Sequence, residues 1–172
     1  MKKSYLQLHF SIFLWGFTGI LGRLIELSEG LLVWYRLILT AIFLFVYMTM
    51  TNRPRTFTFE KHWKMVFVGC LITIHWLFFY GAIKYSNVSV TLSCLASTAL
   101  FTSVFEPVFN KKRNGGIKIK PIEIIFALLG LAGIYLIFAF QRIYGLGIIL
   151  ALLASGFGAI FTRDCANVLQ RF

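Results

Sequence analysis

Apolar runs long enough to cross a bilayer alternate with short polar stretches along the whole chain. A membrane-spanning helix needs about 20 predominantly apolar residues. Most of the charged residues fall in the stretches between the runs. The pattern therefore predicts an all-α integral membrane protein with about six transmembrane helices, over residues 6–24, 31–50, 65–83, 88–109, 122–140 and 145–161.

The fourth predicted span carries a hydroxyl group on almost every turn. Ser89, Ser93 and Ser97 recur at every fourth position, which places them on one helical face. Small hydroxylated residues either let neighbouring helices pack closely or line a polar cavity for a solute. Both interpretations stay open, and the three serines are candidate substrate-binding residues.

Composition supports a membrane location. Hydrophobic residues make up 59% of the chain and charged residues 13%, and the mean hydropathy is +0.81. Soluble domains carry about 25% charged residues. The net charge of +11 would suit nucleic acid, but the basic residues lie between apolar spans rather than on one face of a domain. We therefore expect no nucleic-acid partner.

Basic residues are distributed unevenly between the two sides of the predicted membrane. Of the 17 lysines and arginines, 13 fall at the two termini and in the second and fourth connections. Only Arg23, Lys84 and Arg142 fall on the other side. Because basic loops are retained in the cytoplasm, both termini are predicted to be cytoplasmic, in a plasma (inner) membrane.

A short motif occurs twice. WGFTGILGR at residues 15–23 matches SGFGAIFTR at residues 155–163 in its glycine, phenylalanine, isoleucine and arginine positions. Five spans precede the second copy, and an odd number makes the second unit begin on the opposite side of the membrane. The motif predicts a five-helix repeat over residues 1–142, followed over 143–172 by one helix of an inverted second repeat and a polar tail.

Five segments, in order along the spans, resemble the EamA-type family of the drug/metabolite transporter superfamily: WGFTGILGR, VWYRLILTAIFL, GAIKYSNVSVT, FNKKR and GLAGIYLIF. The resemblance covers residues 5–162. It implies two homologous five-helix repeats and a transporter of small metabolites, amino acids or drugs. With one helix of the second repeat, the chain is then either an incomplete transporter or a non-transporting membrane protein or interaction subunit.

Charged residues inside spans are functional candidates, because a charge at the bilayer centre costs at least about 2.5 kcal/mol. Arg36 lies in the second span beside Trp34 and Tyr35, where its position resembles that of a family arginine. It pairs with an anionic substrate group or with Glu26 or Glu29, or it snorkels to the interface beside the aromatic residues. The first interpretation makes Arg36, Trp34 and Tyr35 substrate-binding residues.

The third span carries His75, Trp76 and Tyr80 within two turns. These side chains either stack on a planar solute or relay a proton, or His75 is a hydrogen-bonded packing residue. If the serine face of the fourth span turns toward them, the two groups close a polar cavity.

Glu106 lies near the cytoplasmic end of the fourth span, just before Pro107. Its carboxylate either carries a coupling proton or bonds with the basic cluster at residues 111–113 and anchors the helix. A second proline, Pro121, suits the first turn of the next helix.

Enzyme chemistry finds no support in the sequence. Cys70, Cys94 and Cys165 are isolated, and neither metal-ligand spacing nor a phosphate-binding loop is present. We therefore expect no catalytic residues, cofactor or metal. The expected partners are the lipid bilayer and a small-molecule solute, with a homo-oligomer or a partner chain supplying the missing helices.

Overall fold

The computed structural model describes residues 2–51, 59–109, 121–140 and 142–169, and every regular element within them is helical. The fourth predicted span is divided into two short helices, so the described residues contain helices at all six predicted spans, and the predicted all-α membrane fold is confirmed. The helices are α1 (Lys2–Leu24), α2 (Glu29–Met50), α3 (Phe59–Tyr85), α4 (Val88–Leu95), α5 (Thr98–Phe109), α6 (Pro121–Phe140) and α7 (Gly145–Leu169), and a 3₁₀ turn (Arg142–Tyr144) precedes α7.

Four stretches within the described residues are long and apolar enough to cross a membrane: Glu29–Met50, Trp63–Tyr85, Val88–Phe105 and Gly145–Cys165. Many of their large apolar side chains face outward, which suits contact with lipid. The chain is therefore a multi-pass membrane protein.

Local signals account for several helix boundaries. α6 begins at Pro121, as predicted for a first-turn proline. The Asn87 side chain caps α4, because its Oδ1 accepts a hydrogen bond from the Val90 backbone N–H at 2.8 Å. The segment after residue 161, predicted to be a polar tail, instead continues α7 to Leu169.

The fourth span, predicted as one helix, is interrupted at Ala96 and Ser97. The carbonyl oxygen of Cys94 accepts from the Ser97 backbone N–H at 3.0 Å and from the Ser97 hydroxyl at 2.6 Å. It also accepts from the Ser155 hydroxyl of α7 at 3.1 Å. Backbone groups freed inside a membrane need internal partners, and these three donors provide them at the interruption.

α7 is the central helix of the bundle and packs against α3, α4 and α5. Its buried face consists mostly of small residues, which allow close helix contacts: Ile148, Ala151, Ala154, Ser155 and Ala159. α1 packs against α3 and α4, α2 packs against α3, and α6 packs against α4 and α5.

Packing is much tighter at one end of the bundle than at the other. The tight end, called the closed end here, holds the α1–α2, α3–α4 and α6–α7 connections. Its buried residues form two clusters: Leu32, Val33, Phe79, Tyr80, Ile83 and Ala154, and then Ala82, Val90, Cys94, Ile148 and Ala151. At the opposite, open end, the side chains of residues 4–17 in α1 and 39–50 in α2 are all exposed.

Candidate functional site

A cavity of about 370 Å³ lies in the middle of the bundle, between α1, α3, α7 and the α4–α5 interruption. Its size is at the lower end of the range for small-molecule sites, about 300–1,000 Å³. The residues that line it come from the central turns of these helices: Trp15, Gly16, Thr18, Ile72, His75, Trp76, Phe79, Leu92, Leu95, Thr98, Gly158, Phe161 and Thr162.

Both copies of the repeated motif contribute to this cavity. Trp15 and Gly16 come from the first copy, in α1, and Gly158 and Phe161 come from the second copy, in α7. The two copies therefore face one common space, although they are far apart in the sequence. In transporters built from inverted repeats, substrate sites lie at the interface between repeats near the bilayer midplane.

His75 joins α3 to α7 and also lines the cavity. Its Nδ1 lies 2.7 Å from the carbonyl oxygen of Ala154. A carbonyl only accepts hydrogen bonds, so Nδ1 carries the proton, and Nε2 of the neutral ring is an acceptor. Gly158 allows this contact, since a Cβ atom there would lie 3.0 Å from Nδ1. The histidine thus holds the helices together and offers its second nitrogen to the cavity.

Arg36, Trp76 and Tyr80, three of the predicted site residues, meet at the closed end. Arg36 Nη1 donates to Tyr80 Oη at 2.9 Å, and Arg36 Cζ lies 3.6 Å from the centroid of the Trp76 ring. The Trp76 and Tyr80 rings stack, with centroids 5.7 Å apart and planes at 26°. These three residues are called the aromatic–arginine cluster below.

The surroundings of Arg36 distinguish between the alternatives for this residue. Among the described residues it makes no ion pair, and neither Glu26 nor Glu29 is its partner. It is half-buried, and its side chain is directed at α3, over the Trp76 ring. Only one of its five N–H donors is bonded to a described residue. Trp34 and Tyr35, its neighbours on α2, face outward with 56% and 48% of their surfaces exposed.

The serine face of α4 does not turn toward His75, contrary to the sequence-based expectation. α4 buries Val90, Thr91 and Cys94, and this rotation leaves Ser89 and Ser93 exposed. Ser97 is buried at the helix interruption.

Ser93 and Ser97 line a separate cleft of about 190 Å³ beside Gly130 and Ile134 of α6. The face of the fourth span that does reach the cavity carries Thr98. Ser93 and Ser97 therefore lie near α6. Thr98, and not one of the three serines, supplies the hydroxyl of the fourth span that lines the cavity.

Glu106 lies in α5, but its side chain is outside the described part of the structure, as are the basic residues 111–113. The three cysteines are free thiols, and the described residues contain no group of three or more His, Cys, Asp and Glu that would hold a metal ion.

Sequence reasoning missed the contribution of α1 and α7 to the cavity. Trp15, Phe161 and Thr162 lie within the repeated motif, which predicted an inverted repeat, but none of the three was named as a site residue. The repeat itself was the available signal, because inverted repeats place corresponding elements at a common site.

Comparison with known proteins identifies the family. The model of the EamA-like transporter family matches residues 2–139, from α1 through most of α6. No curated protein and no solved structure matches the chain significantly. Members of the family are transporters rather than enzymes. Because the match covers well over half of its residues, this chain belongs to the EamA-like transporter family.

Proposed function

We propose that this chain transports a small solute, a metabolite, amino acid or drug, and binds it in the cavity between α1, α3, α7 and the α4–α5 interruption. The observation that carries the proposal is that both copies of the repeated motif line this cavity. A space between repeats in the middle of a membrane bundle is where such transporters bind their substrates. His75 and Trp76 would contact the solute directly.

The aromatic–arginine cluster would serve as a barrier at one end of the solute pathway. Trp76 lines the cavity, and Arg36 and Tyr80 cover it from the direction of the closed end. Charge asymmetry between the connections supports an external location for this end. Alternating access would then separate Arg36 from Trp76 and Tyr80 as the external side opens, while Glu106 remains the candidate for a coupling proton.

A matched pair of glycine variants tests whether the cavity is the transport site. Gly16 lines the cavity, and Gly69 lies on an exposed face of α3. A Cβ atom at either position meets no atom within 4 Å. Gly16→Leu should therefore fill the cavity without a clash, whereas Gly69→Leu should only add apolar surface.

For the assay, proteoliposomes are loaded with amino acids, nucleosides and aromatic metabolites, and the release of each solute is followed by mass spectrometry. We expect at least one solute to leave faster than from protein-free liposomes. Gly16→Leu should reduce that rate to the protein-free level, and Gly69→Leu should retain it. Equal rates for the two variants would show that the cavity is not on the pathway.

The second candidate function is a non-transporting membrane protein or an interaction subunit. Exposed apolar side chains cover much of α1 and α2, which leaves room for helices from a second copy or a partner chain. Release of no solute by the folded protein, together with a detergent-extracted complex heavier than one chain, would favour this alternative.

A further inference from the structure

We infer that the cavity selects an uncharged aromatic solute of about the size of indole or phenol, with a hydrogen-bond donor on its ring. The inference deepens the proposed function and rests on it for the role of the cavity. Three properties of the lining lead to it: its rings, its hydrogen-bonding groups and its lack of charge.

Aromatic rings dominate the lining and are held by contacts with one another. The Trp76 and Phe79 rings meet edge to face with centroids 5.3 Å apart, and His75 and Phe79 are nearly parallel with centroids 6.3 Å apart. Trp15 and Phe161 add rings from α1 and α7. Edge-to-face and offset stacking favour a planar aromatic ligand, and a space of about 370 Å³ suits a small one.

In three polar side chains of the lining, the position left free is a hydrogen-bond acceptor. His75 Nδ1 donates to Ala154, so Nε2 is an acceptor, and within the described residues it has no partner. The Thr98 hydroxyl donates to the Leu95 carbonyl at 2.7 Å, and the Thr162 hydroxyl donates to the Gly158 carbonyl at 2.8 Å. Each hydroxyl hydrogen is thereby used, and the oxygen keeps a free lone pair.

Free hydrogen-bond acceptors in an apolar cavity favour a ligand that carries a hydrogen-bond donor. The remaining polar groups of the lining, the Thr18 hydroxyl and the indole N–H groups of Trp15 and Trp76, are all neutral. A ring N–H or O–H placed at His75 Nε2 would satisfy both partners, whereas a ligand without a donor would leave this nitrogen desolvated and unpaired.

Charged solutes are disfavoured by the same lining, which contains no charged residue among those described. A cation would lack an acidic partner in the lining. An anion would lack a charged donor, because Arg36 itself does not line the cavity. An unpaired charge in an apolar site carries a large desolvation cost.

Matched ligands test the inference on the unmodified protein. Indole and 1-methylindole differ in the ring N–H, and tryptamine and indole-3-acetate add a positive or a negative charge. Each is titrated against the protein in lipid nanodiscs by saturation-transfer NMR, with empty nanodiscs to subtract partitioning into lipid. We expect saturable indole binding, with 1-methylindole at least about tenfold weaker and both charged analogues weaker than indole.

Two substitutions then locate the acceptor. His75→Phe keeps an aromatic ring but removes Nε2, so indole and 1-methylindole should bind with similar affinity. His9→Phe is the control, because His9 is exposed on α1 and its Nδ1 lies 2.8 Å from the Tyr5 carbonyl of the same helix. If His75→Phe does not fold, Thr98→Val supplies a second test: it removes a hydroxyl of the lining but keeps Nε2, so the preference for indole over 1-methylindole should persist, and its loss would place the acceptor away from His75.

Several results would overturn the inference: equal binding of indole and 1-methylindole to the unmodified protein, tighter binding of a charged analogue, or no saturable binding at all. If any of these results were found and the protein still transported a different solute, the proposed function would be retained and only the inferred specificity would be wrong. Conversely, selective indole binding without release of any solute from proteoliposomes would contradict transport by this chain and support the inferred specificity.

Discussion

At the scale of single residues, Tyr80 joins three helices at the closed end. Its ring packs against Gly22 of α1, where a Cβ atom would lie only 2.6 Å from Tyr80 Cε1. The same ring stacks on Trp76, and its hydroxyl accepts from Arg36 of α2. A tyrosine hydroxyl and an indole face solvate a guanidinium without neutralising it. The arginine therefore keeps its full charge beside the cavity.

Tyr80→Phe should lower the free energy of unfolding by about 1 kcal/mol, because it removes the hydrogen bond to Arg36 and preserves the stacked ring. Unfolding in mixed micelles with increasing dodecyl sulfate, followed by circular dichroism, measures the change. Tyr35→Phe is the control, since Tyr35 is the exposed neighbour of Arg36. An equal effect of the two substitutions would argue against a contribution from this hydrogen bond.

The sequence allowed Arg36, Trp76 and Tyr80 to be named as candidate site residues, but it did not allow the contacts between them to be predicted. Arg36 was a candidate because charged side chains inside spans are unusual, and Trp76 and Tyr80 were candidates because they lie within two turns of His75 on the third span. Arg36 and Tyr80 are 44 positions apart, and no local pattern pairs them. The orientation of Ser89 and Ser93 was undetermined for a related reason, since both faces of the fourth span carry hydroxyl groups.

At the scale of elements, the positions of the helices followed from hydropathy, whereas the interruption between α4 and α5 did not. Residues 88–105 contain neither proline nor glycine, so no local signal marks a break at Ala96. The interruption is stabilised in part by α7, because the Ser155 hydroxyl of that helix donates a hydrogen bond to the Cys94 carbonyl. A tertiary contact of this kind cannot be read from local sequence.

The close contact between α7 and the end of α3 predicts opposite effects for two glycines of one helix. A Cβ atom at Gly147 would lie 2.5 Å from Ser86 Cβ and 3.0 Å from the Ser86 backbone nitrogen, whereas at Gly156 it would meet nothing within 4 Å. Gly147→Ala should destabilise the protein by about 1–3 kcal/mol through overpacking. Gly156→Ala should stabilise it by about 0.5–1 kcal/mol through helix propensity.

Unfolding in mixed micelles, compared with that of the unmodified chain, measures both effects. Stabilisation by both alanines would mean that helix propensity outweighs packing at Gly147 and that α7 does not approach Ser86 this closely.

At the scale of the whole molecule, the end of the bundle that packs more tightly is also the end whose connections carry few basic residues. The closed end holds the short connections with few basic residues, whereas α1 begins and α2 ends at the open end, beside the more basic stretches of the sequence. By the positive-inside rule, this asymmetry supports the proposed external location of the closed end. A bundle packed at its external end and open toward the cytoplasm would be one of the two forms that alternating access requires.

Labelling of single cysteines tests this orientation. In a background with Cys70→Ser, Cys94→Ala and Cys165→Ser, cysteine replaces Ser28 at the closed end or Thr51 at the open end; both positions are exposed. Because 13 of the 17 basic residues lie on the side of Thr51, we expect a membrane-impermeant maleimide to label Ser28→Cys in intact cells. Thr51→Cys should react only after permeabilisation. The reverse pattern would place the aromatic–arginine cluster near the cytoplasmic side, and the proposed external barrier would have to be abandoned.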